Sequence, residues 1–240
     1  MTKFYKDKQK VINWLEKHQV KNYILVPDEK YGFVIDVNGD ADLSDQNLIN
    51  IPVKFNKISG YFGCSNNQLT SLEFCPKTVT DTFNCSYNKL TSLEFNPQIV
   101  GNNFWCNHNK LTSLEFSPQT IIGSFWCNNN QLTSLEFSPK IVNDSFDCSY
   151  NRLTSLEFIP QKVEFNFNCS NNQLISLEFC PQVLDGNFYC ENNPKLKKIQ
   201  EINDFKLILL EHKKTLITKF SDKLENDLID NSKKSAKIKI

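Results

Sequence analysis

The hexapeptide Leu-Thr-Ser-Leu-Glu-Phe begins at residues 69, 90, 111, 132 and 153, and returns at 174 with Ile175 in place of threonine. A period of 21 residues sustained over this length restricts the fold more than any composition does. One such unit cannot bury its own apolar side chains, so the units must stack and share a continuous core. Laid out in register the unit reads Phe-x-Cys-x-x-Asn-x-Leu-x-Ser-Leu-Glu-Phe-x-Pro-x-x-aliphatic, followed by three variable positions.

Each column carries a physical expectation. Phe-x-Cys alternates apolar and polar residues at period two, as a short strand with one buried face does. Stacked strands of this kind form a parallel sheet rising about 4.8 Å per coil. The phenylalanines from Phe62 to Phe188, the cysteines from Cys64 to Cys190, both leucines and the aliphatic column from Val79 to Leu184 are expected inside. So is the second phenylalanine, from Phe74 to Phe179, which continues the alternation Leu-Glu-Phe and leaves Glu73, Glu94, Glu115, Glu136, Glu157 and Glu178 in solvent. An asparagine follows each strand, from Asn67 to Asn193. A buried amide at that corner satisfies backbone groups of neighbouring turns. The prolines from Pro76 to Pro181 fix φ in a non-helical return segment.

This pattern resembles the short leucine-rich repeats of bacteria and viruses, in which Asn-x-Leu-Thr-Ser-Leu precedes an extended, proline-bearing return. Residues Ile35-Asp36-Val37-Asn38-Gly39-Asp40 through Leu43, and Ile51-Pro52 to Phe62, are similar to the entry segment of repeat proteins from large bacteriophages and giant amoebal viruses. The resemblance spans roughly residues 11 to 196. It implies a β-rich leucine-rich-repeat solenoid with its parallel sheet on the concave face, and an interaction scaffold as its use. Such proteins often carry Gly-Gly before the strand. Here Glu164-Phe165 stands at that turn, where a left-handed backbone would disfavour it and distort the coil.

The ends of the array need covering. Phe4, Val11, Ile12 and Leu15 recur at helical spacing with Trp14 flanking the stripe. Two strands, Tyr23–Val26 and Phe33–Ile35, enclose a Pro-Asp turn. Residues 1–40 therefore form an α+β cap on the open edge of the first coil. The solenoid follows at 41–196, with a degenerate coil carrying Leu48, Ile51, Val53 and Ile58, six full repeats, and a seventh that breaks at Asn193-Pro194 and displaces its leucine to Leu196. Phe205, Leu209, His212, Leu216 and Phe220 then follow a helical period, giving a helical C-terminal cap at 197–231 and a basic, disordered tail at 232–240.

Charge is zero overall and uneven along the chain. Residues 1–31 hold seven lysines and four acids, 32–194 eight basic residues against sixteen acids, and 195–240 twelve lysines and seven acids. An acidic repeat face is a poor nucleic-acid binder. No apolar run approaches the ~20 residues of a membrane span, and no signal-peptide core opens the chain, so an intracellular, cytoplasmic monomer is expected, in a host cell or virion if the viral resemblance holds.

Chemistry is sparse. His18, His108 and His212 fall far apart, and no phosphate loop, dinucleotide fingerprint or nucleophile elbow is present. Seven of the nine cysteines belong to the ladder and are read as buried free thiols, because adjacent strands hold them parallel rather than convergent. Cys75 and Cys180 lie off it and are expected exposed. The chain is thus read as not an enzyme, with no catalytic residues, no metal and no cofactor.

The remaining function classes are a protein-binding module, a glycan binder, and a substrate-recognition adaptor in a pathogen or viral ubiquitin pathway. The first is favoured, with an unidentified protein partner. Its candidate site is the column between Phe and Cys, which reads Gly63, Asn84, Trp105, Trp126, Asp147, Asn168 and Tyr189 and should point out of the sheet. Two tryptophans in adjacent coils, with Tyr87, His108 and Tyr150 in a nearby outward column and Tyr189 further along, are the residues singled out for binding.

Overall fold

The computed structural model describes residues 4–160, 162–181 and 184–196. They form a β-solenoid of about seven turns with parallel sheets and very little helix. The helical cap and tail expected for 197–240 lie outside the described residues.

One helix, α1 (Lys8–Lys17), opens the described chain. Asp7 caps it by accepting a hydrogen bond from the Lys10 amide at 2.9 Å, the usual way to satisfy an orphan donor at a helix start. Val11, Trp14 and Leu15 are buried. Trp14 is therefore part of the stripe rather than a flank to it, and its ring meets Phe55 at 6.4 Å. Strands β1 (Tyr23–Asp28) and β2 (Gly32–Val37) pair as the expected antiparallel hairpin. The Asp28 carboxylate accepts from the amides of Lys30 and Tyr31 to shape its turn.

Two ladders follow, one parallel and continuous along the array and one in separate segments. The long one has eight strands: β3 (Ala41–Asp42), β5 (Phe62–Gly63), β7 (Phe83–Asn84), β9 (Phe104–Trp105), β11 (Phe125–Trp126), β13 (Phe146–Asp147), β14 (Phe167–Asn168) and β15 (Phe188–Tyr189). Ala41 pairs with Phe62, so the degenerate coil enters the sheet in the phenylalanine register. The second ladder is built from the return segments. It continues β1 and β2 through β4 (Lys54–Ile58), β6 (Thr78–Val79) and β8 (Ile99–Val100), and further along pairs β10 (Thr120–Ile121) with β12 (Ile141–Val142).

The core lies between these ladders. Phe62, Phe83, Phe104, Phe125, Phe146 and Phe167 are almost wholly buried, with neighbouring ring centroids 5.4–5.9 Å apart. The asparagine column behaves as its chemistry requires. Asn130 donates to the carbonyls of Cys106 and Cys127 at 3.1 Å and accepts from the Leu111 amide at 3.0 Å. Asn88, Asn151 and Asn172 repeat the same bonds in other coils. Each amide therefore ties its own strand to the preceding coil, and backbone groups that would be unpaired in the interior are satisfied.

Four expectations are corrected. The second phenylalanine is inside only at Phe74; Phe95, Phe116, Phe137, Phe158 and Phe179 are 43–53% exposed, against 3% for Phe74. The cause is a tight turn. The Asn96 amide donates to the Leu93 carbonyl at 3.1 Å, and Phe95, third in that turn, has φ of 69°. A left-handed third residue turns what looks like strand alternation into leucine in, glutamate out, phenylalanine out, next residue in. That next residue is Cys180 in one such coil, which is why it is buried rather than exposed; Cys75 is buried too, in the first coil, where Phe74 lacks the positive φ and both side chains are covered. Glu164-Phe165 does not impose a left-handed turn, although the return ladder in this coil is reduced to the single bridge between Val142 and Val163. The Phe165 amide bonds the Asp144 carbonyl at 3.3 Å in the ladder shared by other coils, and neither residue has positive φ. The column between Phe and Cys is covered at its start. Gly63 and Asn84 are buried because Tyr61 lies over them: a methyl group at Gly63 would meet the Tyr61 hydroxyl at 2.3 Å, and that hydroxyl receives a hydrogen bond from Asn84 at 3.2 Å.

Candidate functional site

Beyond Tyr61 the outer face of the long sheet opens onto aromatic rings. β9 and β11 are adjacent and in register, pairing Trp105 with Trp126. Their side chains leave the sheet on the same side and stack with centroids 4.7 Å apart and planes 12° from parallel. Trp126 remains exposed and Trp105 is half-buried.

A second stack lies just past the strands. Tyr87 and His108 meet at 4.1 Å with an interplanar angle of 12°. Coil by coil their column reads Asn66, Tyr87, His108, Asn129, Tyr150, Asn171 and Asn192, and every member has φ between 51° and 55°. Asparagine tolerates that left-handed backbone; bulky rings adopt it at a cost. The sequence thus places rings where its own repeat elsewhere uses the better-suited asparagine. Burial alone lowers the His108 pKa below its ordinary value, so the ring stays neutral at physiological pH.

The two stacks share the coil of β9, which contributes both Trp105 and His108. Tyr150 is exposed but separated from His108 by Asn129, and Tyr189 sits on β15 at the far end of the sheet. The structure thus groups Trp105, Trp126, Tyr87 and His108 and leaves Tyr150 and Tyr189 apart from them.

Polar groups beside the tryptophans complete the patch. Where the strand ends Asn-Cys-Ser or Asp-Cys-Ser, the side chain closes on itself: Asn84, Asp147 and Asn168 each accept from the amide and hydroxyl of Ser86, Ser149 and Ser170 at 2.6–3.1 Å. Burial raises the Asp147 pKa, and the Ser149 bonds work against that rise. The tryptophan coils read Trp-Cys-Asn and have no such closure. Trp105 Nε1 and Asn107 Oδ1 are both buried without a hydrogen-bond partner. One unused donor and one unused acceptor are rare in a native interior. Asn107 was not among the sequence-derived candidates. The substitution of Asn for Ser at this position, coinciding with Trp for Asn or Asp two residues earlier, is the signal that marks it.

No cluster of three or more His, Cys, Asp or Glu side chains able to hold a metal exists among the described residues. Nor, among them, is any helix long and apolar enough to cross a membrane. No family model matches the chain, and no curated protein matches it.

Proposed function

We propose that this chain is a non-enzymatic protein-interaction module of the short leucine-rich-repeat type, gripping its partner with the outer face of the long sheet. The observation that carries this reading is the Trp105–Trp126 stack, exposed at Trp126 on the outer face of the sheet. Large rings bury much area at small entropic loss, and the exposed side of the stack at Trp126 offers that area to a partner. Sugar rings need free aromatic faces, and here the two indoles spend one face each on the other. The Asn-x-Leu-x-Ser-Leu unit with its asparagine bonds between coils supports the repeat type.

The test compares the wild-type chain with the Trp105→Ala, Trp126→Ala double variant in affinity purification from the native cell, with thermal unfolding of both measured in parallel. Protein partners lost by the variant at an almost unchanged Tm support the assignment. Unchanged recovery with a lowered Tm reduces the rings to a structural pair, and a ring-dependent signal on a glycan array would replace the protein partner by a sugar.

A further inference from the structure

A second exposed aromatic row runs along the opposite, return side of the solenoid. Phe95, Phe116, Phe137, Phe158 and Phe179 present one half-exposed ring per coil, so neighbouring rungs lie about 4.8 Å apart. Every one of them has φ of 67–72°, at the turn position that glycine suits best and a bulky side chain suits poorly. Repeating a disfavoured residue in five consecutive coils is unexplained by packing, because the rings do not fill the core. Glu94, Glu115, Glu136, Glu157 and Glu178 stand beside them, each exposed and next to its phenylalanine in the same turn. From Thr91 onward the return segments carry two lysines, Lys140 and Lys162, and the second is already held by Glu164 at 2.5 Å. Ile99, Ile122 and Ile141 widen the apolar strip, and a groove between Phe116 and Phe137 is lined by Ile99, Thr120 and Ile122.

The first coil shows how this column is covered, in a turn without the positive φ of the open rungs. At the first coil Phe74 is covered by the rings of Phe4 and Tyr31, at 5.4 and 5.9 Å. Each covering ring brings a lysine: Lys6 Nζ lies 5.5 Å from the Phe4 centroid and Lys30 Nζ 4.8 Å from that of Tyr31. Tyr31 is the main influence raising the Lys30 pKa, with Glu73 and Asp28 acting in the same direction. Apolar rings with lysines over them are therefore what covers the phenylalanine where the row is closed.

We infer that the five open rungs form a second docking surface, for a lysine- or arginine-rich amphipathic helix of a partner protein lying along the stack. A helix offers one apolar residue per turn at a rise of 5.4 Å, close enough to the coil spacing to keep step over several rungs, with basic residues alongside to meet the glutamate row. This surface is independent of the tryptophan face.

The test uses a labelled synthetic 18-residue helical peptide with a leucine stripe flanked by lysines, and a counterpart with glutamates for the lysines. Fluorescence anisotropy is measured at low salt on the full chain, with circular dichroism to confirm folding. The lysine peptide is expected to bind the wild type, and to lose at least tenfold in affinity with Phe116→Gly, Phe137→Gly and again with Glu115→Lys, Glu136→Lys. Glycine suits the turn, so the first variant keeps the fold. The glutamate peptide should not bind, and Trp105→Ala, Trp126→Ala should leave the lysine peptide's affinity unchanged. Failure of the lysine peptide to bind, or binding indifferent to both ladder variants, overturns the inference. So does wild-type self-association that the glycine variant abolishes in sedimentation, which makes a second copy the occupant. Binding to anionic vesicles that depends on the same phenylalanines would assign the row to a membrane instead.

Discussion

Each full coil carries two phenylalanines, and the fold treats them in opposite ways. The first, typified by Phe125, is wholly buried between neighbours at 5.6 and 5.5 Å; the second, typified by Phe137, lies half in solvent with φ of 67°. Residue type and repeat register are shared, so hydrophobicity does not decide between them. The backbone does. An extended strand sends Phe125 inward, while a turn closed by the Ser138 amide on the Leu135 carbonyl at 2.9 Å swings Phe137 out and Ser138 in. The first coil shows the dependence on surroundings, because Phe74 lacks the positive φ and is buried under the N-terminal segment.

The largest effect should come from testing this pair directly. Phe125→Ala removes a fully buried ring, with an expected loss of about 3–5 kcal/mol. Phe137→Ala removes one that is half exposed and should change stability by less than about 1 kcal/mol. Phe74→Ala belongs with Phe125, not with Phe137. Urea unfolding of the three variants checks the ranking, and equal losses at Phe125 and Phe137 would break the distinction between the two rows.

Much of the fold was legible in the sequence. The period, the Phe-x-Cys strand, the asparagine corner and the N-terminal helix and hairpin follow from spacing and side-chain chemistry, and each stands in the structure near its expected place. The second phenylalanine was not legible, because Leu-Glu-Phe reads equally as strand alternation or as a turn, and nothing at that position advertises left-handed backbone as glycine would. The same ambiguity hid the burial of Cys180. At the candidate site the outward tryptophans were legible from period two. The cover over Gly63 and Asn84 depends on where Tyr61 lies, which no local pattern encodes.

A smaller effect sharpens the contrast between the polar corner and the apolar core. Asn130→Ala leaves the buried Leu111 amide without its acceptor, while the Cys106 and Cys127 carbonyls each lose one of two asparagine donors and keep Asn109 and Asn151 respectively. The expected loss is about 1–3 kcal/mol, with faster amide exchange at Leu111. Unchanged stability would mean that water replaces the amide and that the asparagine column is dispensable.

The cysteines distinguish interior from end. Those of the central coils are fully buried, and burial raises their pKa values far above the ordinary thiol; at Cys180 and Cys190 burial raises it to about 11. At pH 8 these thiols should react slowly with iodoacetamide in the native state, since the thiolate is the reactive form. Cys190, only half-buried, should be modified first and the central ladder last. Rapid labelling of Cys75 or Cys180, read by peptide mass spectrometry, would contradict their burial.

The smallest effect concerns His108, and compares a ring with the residue its column otherwise uses. Its folded pKa lies below the ordinary value of 6.5 because burial disfavours the imidazolium. The unfolded chain therefore binds the proton more readily than the folded one between the folded pKa and about 6.5, and stability falls as pH falls through that window. Above 6.5 the ring is neutral in both states and contributes no pH dependence. His108→Asn places at this left-handed position the residue found at Asn129 and Asn171, which relieves the backbone and removes the titrating group while giving up the Tyr87 stack. The variant should lose this component of the decline in Tm between pH 7 and pH 5. In the wild type, the imidazole proton resonance of His108 should titrate with a midpoint below 6.5. A midpoint above that value would mean that the imidazolium is favoured at this site, reversing the sign of the pH dependence and removing the case for a neutral ring stacked on Tyr87.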